Sequence, residues 1–218
     1  MLSEVKALVK DRVPFIAGIV VPVVQAARHQ TSRRKIRRIL KERGKVSVEL
    51  GAGGKKGQGE WVTIDLSNAC DIYWDLRKGI PFPSESVRKI YSSHFFEHLS
   101  FRQADAFLEE CKRVLIPAGV FSICVPNARI YLEAYCKGAP LSPSYFVYQP
   151  AYNHTTLIDC VNYMAYMDGH HKQMFDEDKL LFVLRSKGFK NVRLRPFDPS
   201  LDLEARDYES IYGEAEKG

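Results

Sequence analysis

The chain predicts an α/β fold organised around a mostly parallel sheet. Three observations predict it. Val46–Leu50, Trp61–Asp65 and Val120–Val125 are short apolar runs, near-continuous rather than alternating, as strands buried on both faces are. Between strand candidates lies a clear amphipathic helix, Ser100 to Leu115. Asp65, Asp75, the stretch Ser93–His98 and Asn127 fall where strands end, and ligands of such sheets sit at the carboxyl ends of the strands. Alternation of strand, helix and strand then asks for right-handed crossovers.

The chain has 218 residues, 45% of them hydrophobic, which suits one globular domain with a sizeable core. Its five cysteines are widely spaced and none forms C-x-x-C, so neither a disulfide framework nor a zinc ribbon is supported. Buried reduced thiols in a cytoplasmic protein are the simplest account. The net charge of +6 is uneven: nine Lys/Arg stand against one acid between Arg28 and Lys45, and the remainder from 46 on is mildly acidic.

Residues 1–45 read as an arm. Val13 to Val24 is apolar and uncharged, too short to span a bilayer and interrupted by Pro14 and Pro22. A secretory leader is not expected, since the charges follow the apolar run. Arg33 to Arg43 reads as a basic helix with Ile36, Ile39 and Leu40 on one side. An apolar segment followed by a polybasic one, residues 13–45, is a two-signal recipe for an anionic membrane surface at the inner face of the membrane. Packing of the apolar part on the domain or on a second subunit is the equal alternative. Nucleic-acid contact is disfavoured by the acidic domain behind the arm.

The first strand, Val46–Leu50, runs into the glycines Gly51, Gly53 and Gly54, which let backbone come close to a ligand. The second strand closes on Asp65, a carboxylate suited to the two hydroxyls of a ribose. A dinucleotide-binding G-x-G-x-x-G fails at Lys56, and a phosphate-cradling loop fails at the same residue. Only ten residues, Gly51 to Glu60, separate the strands, leaving little or no helix N-terminus to hold a pyrophosphate. A cofactor with a ribose and no phosphates fits this pattern better than a phosphate-bearing one; the alternative is that the glycines simply make a tight turn.

Ile72–Trp74 reads as a short strand closed by Asp75, and Val87–Ser93 as the next, followed by His94, Glu97 and His98. Ser100 and Gln103 form a capping box for the helix, in which Glu109 and Glu110 can pair with Arg113. Pro117 and Gly119 should stop it. Asp176 caps a later helix to Lys187 with Leu180, Leu181 and Leu184 inward and Gly188 as its stop. Val192–Phe197 and Ser210–Ala215 read as the last two strands.

ELGAGG (49–54), WVTIDL (61–66), WDLRKGIPF (74–82), IYSSHFFEHL (90–99), ECKRVLIPAG (110–119) and FSICVPN (121–127) succeed one another in an order that resembles the class I S-adenosylmethionine-dependent methyltransferases. HHKQMFDEDKLLFVLRSKGF (170–189) and YESIYGEA (208–215) also fit, and the resemblance is to the small bacterial methyltransferase-domain (type 11-like) family. It covers residues 46–218, with the arm 1–45 outside it. It implies a Rossmann-like sandwich with a mostly parallel seven-stranded sheet and an antiparallel last strand. It also implies S-adenosylmethionine as cofactor. Glu49, Gly51, Ala52 and Gly53 would line its methionine part, Asp65 with Leu66 its ribose, Asp75 and Leu76 its adenine, and Ser93 with His94 its sulfonium. Ala118 stands where the family has the first glycine of a P-G-G turn, and Arg88 where it often has Asp. N-methylators of nucleic acid carry an Asn/Asp-Pro-Pro-aromatic motif where this chain has SSHFFEH.

Residues 128–173 form an aromatic insertion that reads as a lid over the acceptor, or equally as a homodimer surface or extra core. His154, His170 and His171 are the histidines of this region; adjacent histidines point apart, and no metal is expected. Methyl transfer to oxygen needs orientation, water exclusion and a base near the methyl. His94, His98 and His171 are the candidate bases, with Glu97 to orient one of them; capping of the next helix is the structural alternative for Glu97 and His98. The acceptor implied is a small molecule, sugar or lipid-linked glycan of cell-envelope polysaccharide synthesis. The rival function is a non-catalytic scaffold of the same fold at the membrane surface.

Overall fold

A computed structural model of the chain describes residues 14–153 and 155–218, with side chains from Val24 onward. The apolar run Val13–Val23 lies outside the described side chains, as does His154. Among the described residues five α-helices and seven strands follow one another: α1 (Pro14–Arg43), β1 (Val46–Leu50), β2 (Trp61–Asp65), β3 (Ile72–Tyr73), β4 (Val87–Ser93), α2 (Phe101–Val114), β5 (Leu115–Pro126), α3 (Ala128–Lys137), α4 (Ile158–Tyr166), α5 (Glu177–Ser186), β6 (Lys190–Leu194) and β7 (Ser210–Glu216). The sheet order is β3-β2-β1-β4-β5-β7-β6, with β7 antiparallel to both of its neighbours and the other pairs parallel. This is the seven-stranded Rossmann-like sandwich that the resemblance implies. The strand order reverses between β1 and β4, so the crevice at their carboxyl ends is where such a sheet receives a ligand.

Pro22 does not end α1, which the sequence led us to start only at Arg33. Its last third lies against the sheet edge. Ile36 and Ile39 join the main core. The Ser32 hydroxyl donates to the Tyr73 carbonyl at 2.9 Å, the His29 ring lies 4.2 Å from the Trp74 ring, and Arg28 and Arg33 sit over Tyr73 and Trp74. Among the described residues, no helix is long and apolar enough to cross a membrane.

Between β1 and β2 there are only turns and bends, so the ten-residue link makes its crossover without a helix. Asp71 holds it: one carboxylate oxygen accepts from Gly57 N at 3.0 Å, Thr63 N at 3.2 Å and Thr63 Oγ1 at 3.2 Å. Beyond β3, Arg113 of α2 pairs with Glu110 and donates to the carbonyls of Ile80 and Phe82, while Glu110 accepts from Ile80 N at 2.8 Å. The proline-rich segment is thereby tied to α2. Glu109 faces Lys187 instead of Arg113.

The capping box of Ser100 and Gln103 forms. The strand after α2 begins at Leu115, five residues before the sequence places it, because Leu115 already pairs with Val87 across a register shift. Ala118 holds a left-handed φ of 57°, which explains the glycine usual there. In α5 Leu180 and Leu184 are buried and Leu181 is half-buried. The insertion builds its own small core, in which Tyr131, Phe146, Cys160, Tyr163 and Met164 pack between α3 and α4. The Tyr131 hydroxyl lies 3.1 Å from the Glu209 carboxyl, fastening that core to the segment before β7.

Candidate active site

At the carboxyl end of β1 the chain turns sharply. Gly51 has φ 74°, and a Cβ there would lie 2.3 Å from the Phe95 ring. Gly53 has φ 64° and donates its N–H to Asp65 Oδ2 at 2.9 Å, while Leu66 N donates to Oδ1. A carboxylate offers about four lone-pair directions, so Asp65 keeps acceptors for two hydroxyls.

Three concavities meet along this edge. One, of about 280 Å³, is lined by Glu49, Gly51, Ala52, Gly53, Ser93 and His94, with Arg206 and Leu203 closing it from the β6–β7 connection. A second, of about 220 Å³, is lined by Asp65, Leu66, Asp75, Leu76, Phe95 and His98, with Trp74 behind. The nine residues expected to hold the cofactor thus divide between two adjoining pockets, one at the glycine turn and one more apolar, with Asp65 between them. Glu49 is engaged by Lys55 at 2.7 Å, and burial pushes its carboxyl up. Asp75 grips Arg77 through both oxygens, at 2.8 and 2.9 Å, which holds its carboxyl below the usual range. Glycine backbone, a ribose-type carboxylate and an apolar slot fit S-adenosylmethionine.

The third concavity, of about 540 Å³, lies on the far side of His94 and is the largest of the three. Glu97, His98 and His171 line it, as do Tyr148, Tyr163, Met164 and Met167 from the insertion and Arg206 and Glu209 from the connection. His94 faces both this cavity and the glycine pocket. It has a left-handed φ of 47°, a strained backbone of the kind found at functional positions. Its Nε2 lies 2.9 Å from Ser210 Oγ, and that hydroxyl donates to the Arg206 carbonyl at 2.7 Å, so Nε2 carries the proton and donates. The Nδ1 lone pair is then free, 3.7 Å from Glu97 Oε1. Burial lowers the pKa of His94 to about 3, so the ring is neutral at ordinary pH.

Glu97 is fully enclosed. Burial raises its carboxyl to about 8. Its Oε2 finds no hydrogen-bond partner among the described residues. His98 donates Nδ1–H to the His170 carbonyl at 3.0 Å, and His171 donates Nδ1–H to the Met164 carbonyl at 2.7 Å. Each keeps Nε2 as an acceptor, and the two rings lie 5.1 Å apart. Burial lowers the pKa of both, that of His171 to about 4. The four residues of the expected catalytic set therefore meet around one cavity. Glu97 and His98 form a short 3-10 turn ahead of α2, which Ser100 caps.

Phe95, Lys55, Arg206 and Leu203 were not legible as site residues. Phe95 sits beside the SSHFFEH stretch and could have been found as the ring that the glycine turn clears. Arg206 and Leu203 come from a connection with no motif of its own.

Residues 58–123 match the family model described as a methyltransferase domain. No curated protein matches the chain. Among solved structures, a S-adenosylmethionine-dependent methyltransferase from Aquifex aeolicus superposes with a TM-score of 0.48 at 16% identity, over 86% of this chain and 93% of that one. A possible histamine N-methyltransferase from Thermotoga maritima gives 0.48 at 14% identity, over 90% and 96%. The 1,6-didemethyltoxoflavin-N1-methyltransferase of Burkholderia thailandensis gives 0.48 at 14% identity, over 99% and 89%. The sheet order is that of the class I methyltransferase fold, and the family match lies within it. The family match runs from the link before β2 into β5, and S-adenosylmethionine is the cofactor that the likeness implies.

Proposed function

We propose that the protein methylates a hydroxyl of a small polar acceptor, a sugar or lipid-linked glycan of cell-envelope synthesis, with His94 as general base. The observation that carries this reading is the place of His94 between the glycine pocket and the large cavity, with its Nδ1 lone pair free. Bound S-adenosylmethionine supplies an electrophilic methyl on a sulfonium. Asp65 and the glycine turn orient it, and Tyr148, Tyr163, Met164 and Met167 keep water from the acceptor. Nδ1 of His94 takes the hydroxyl proton as the oxygen attacks. The aromatic walls suit the apolar face of a sugar ring, and Arg206, Glu209 and His170 supply polar contacts at its rim.

Cofactor binding is tested first by calorimetry with S-adenosylmethionine and S-adenosylhomocysteine. Asp65→Ala is expected to weaken both by about 10–100-fold, the value of hydrogen bonds to a charged group. Absence of heat with either ligand in the unmodified protein would leave the scaffold reading in its place.

The exposed bases of α1 (Arg34, Arg37, Arg38 and Lys41) support docking on an anionic bilayer. Deleting the arm would be a poor test, because Ile36 and Ile39 are core residues. Changing those four bases to Gln leaves the core intact. At about 1 kcal/mol per base near an anionic surface, their loss is expected to abolish flotation with phosphatidylserine vesicles. Equal flotation of both proteins would refute docking through this face.

A further inference from the structure

Glu97, His98 and His171 form a constellation that base catalysis by His94 does not use. One potential ligand atom from each lies within 4.8 Å of the others. Both imidazoles are already fixed in orientation by backbone carbonyls: Nδ1 of His98 on His170 and Nδ1 of His171 on Met164. The ring nitrogen left with a lone pair is Nε2 in each case, and His98 Nε2 lies 3.8 Å from Glu97 Oε1. A histidine whose Nδ1–H is held by a carbonyl while Nε2 faces a carboxylate has the outer-shell arrangement typical of metal-ligating histidines.

The carboxylate points the same way. Glu97 is 2% exposed, and its Oε2 lacks a donor among the described residues. Buried polar oxygens without donors are costly, and in native proteins they are satisfied by a proton donor, a water or an ion. Around Glu97 the nearest side-chain nitrogens are those of histidines with free lone pairs, which a cation would satisfy together with the carboxylate.

We propose that Glu97, His98 and His171 form a site for a divalent transition ion of the zinc type, with open positions facing the large cavity. Two imidazoles and one carboxylate are a ligand set used by zinc and other first-row ions, three protein ligands with room left for a substrate atom. All three residues line the cavity, so an acceptor hydroxyl or carboxylate would complete the shell beside His94. This inference rests on the acceptor-pocket reading above, in which His94 remains the base.

The test uses the full chain, stripped with a chelator and dialysed. Calorimetry with Zn2+ and visible absorption with Co2+ are expected to show one ion per chain and a Co2+ spectrum of mixed nitrogen and oxygen ligation. His98→Ala, at a half-exposed position, should weaken binding by more than ~100-fold, beyond what loss of an outer-shell partner costs. Glu97→Gln should do the same, and thermal melts report whether each variant is folded. His170→Ala, which removes a cavity histidine outside the set, should bind as the unmodified chain does. Sub-stoichiometric binding, or equal affinity in a folded His98→Ala, overturns the site. S-adenosylhomocysteine calorimetry on the same stripped protein separates the two readings. Cofactor bound without metal overturns the site alone, and metal bound without cofactor overturns the methyltransfer reading while the site stands.

Discussion

Replacing His94 with alanine is expected to lower the turnover of methyl transfer by about 10²–10⁴-fold, the usual worth of a positioned general base. Affinity for S-adenosylhomocysteine should change little, because His94 borders the glycine pocket without forming its turn. A pH profile separates a base from a structural residue. With its pKa lowered to about 3, His94 is already unprotonated at every pH where the protein is handled. The acid limb of the rate that belongs to His94 should therefore lie near pH 3 and not near 6.5. The same shift has a consequence for stability. Between about 3 and 6.5 the unfolded chain holds a proton on this residue that the folded chain does not. The stability His94 contributes is full above about 6.5 and is lost as pH falls toward 3. Glu97 runs in the other sense: raised to about 8 from 4.5, it contributes fully below 4.5 and its contribution is lost as pH rises toward 8. The His94→Ala chain should thus lose less stability on acidification than its parent. Unchanged turnover in a folded His94→Ala protein would remove His94 from the chemistry.

Gly51→Ala is expected to cost about 2–5 kcal/mol and to abolish cofactor binding. Two effects add. A left-handed backbone at a residue with a Cβ costs roughly 1–2 kcal/mol, and the methyl would meet the Phe95 ring at 2.3 Å. Overpacking of that kind costs about 1–3 kcal/mol. Phe95 cannot yield freely, since its ring packs 5.4 Å from Phe107 and also lines the apolar pocket. Relief of the clash would therefore deform both ends of the cofactor groove. Chemical denaturation and S-adenosylhomocysteine calorimetry check the two halves. Gly53→Ala makes the contrast: it has the same kind of φ, but nothing lies within 4 Å of its would-be Cβ, so only the backbone strain should appear.

Much of this arrangement could be read from residue order, for reasons that are local. Strand ends marked by Asp65, Asp75 and Ser93 are visible because a parallel sheet delivers its carboxyl ends to one edge, whatever the details of packing. The capping box at Ser100 is visible because its two partners are three residues apart. The start of β5 at Leu115 was hidden, since a register shift against β4 lets Pro117 and Ala118 lie within a strand. The extent of α1 was hidden for a related reason: its inward face is earned by contact with Tyr73 and Trp74, which the helix sequence alone does not mention. Arg206 and Leu203 reach the site from over a hundred residues beyond His94, on a segment of three-ten turn without a motif. The four catalytic candidates were named by type, but the tautomers of the three histidines come only from the carbonyls of Met164 and His170 and from Ser210.

Strand β7 enters the sheet between two strands that precede it in the chain, pairing Val120 with Glu216 on one side and Lys190 with Glu216 on the other. During synthesis β6 is finished before β7, its one partner among the described strands. Meanwhile β5 keeps an open edge beside Phe121, Ile123 and Val125. The sheet closes only when residues 210–216 thread into the gap, over a sequence separation that makes the step slow relative to helix formation. Until then the emerging chain presents two unpaired edges, one of them apolar. The interval before residues 210–216 pair is therefore when the chain is most exposed to mispairing, and a nascent-chain chaperone would find its target there.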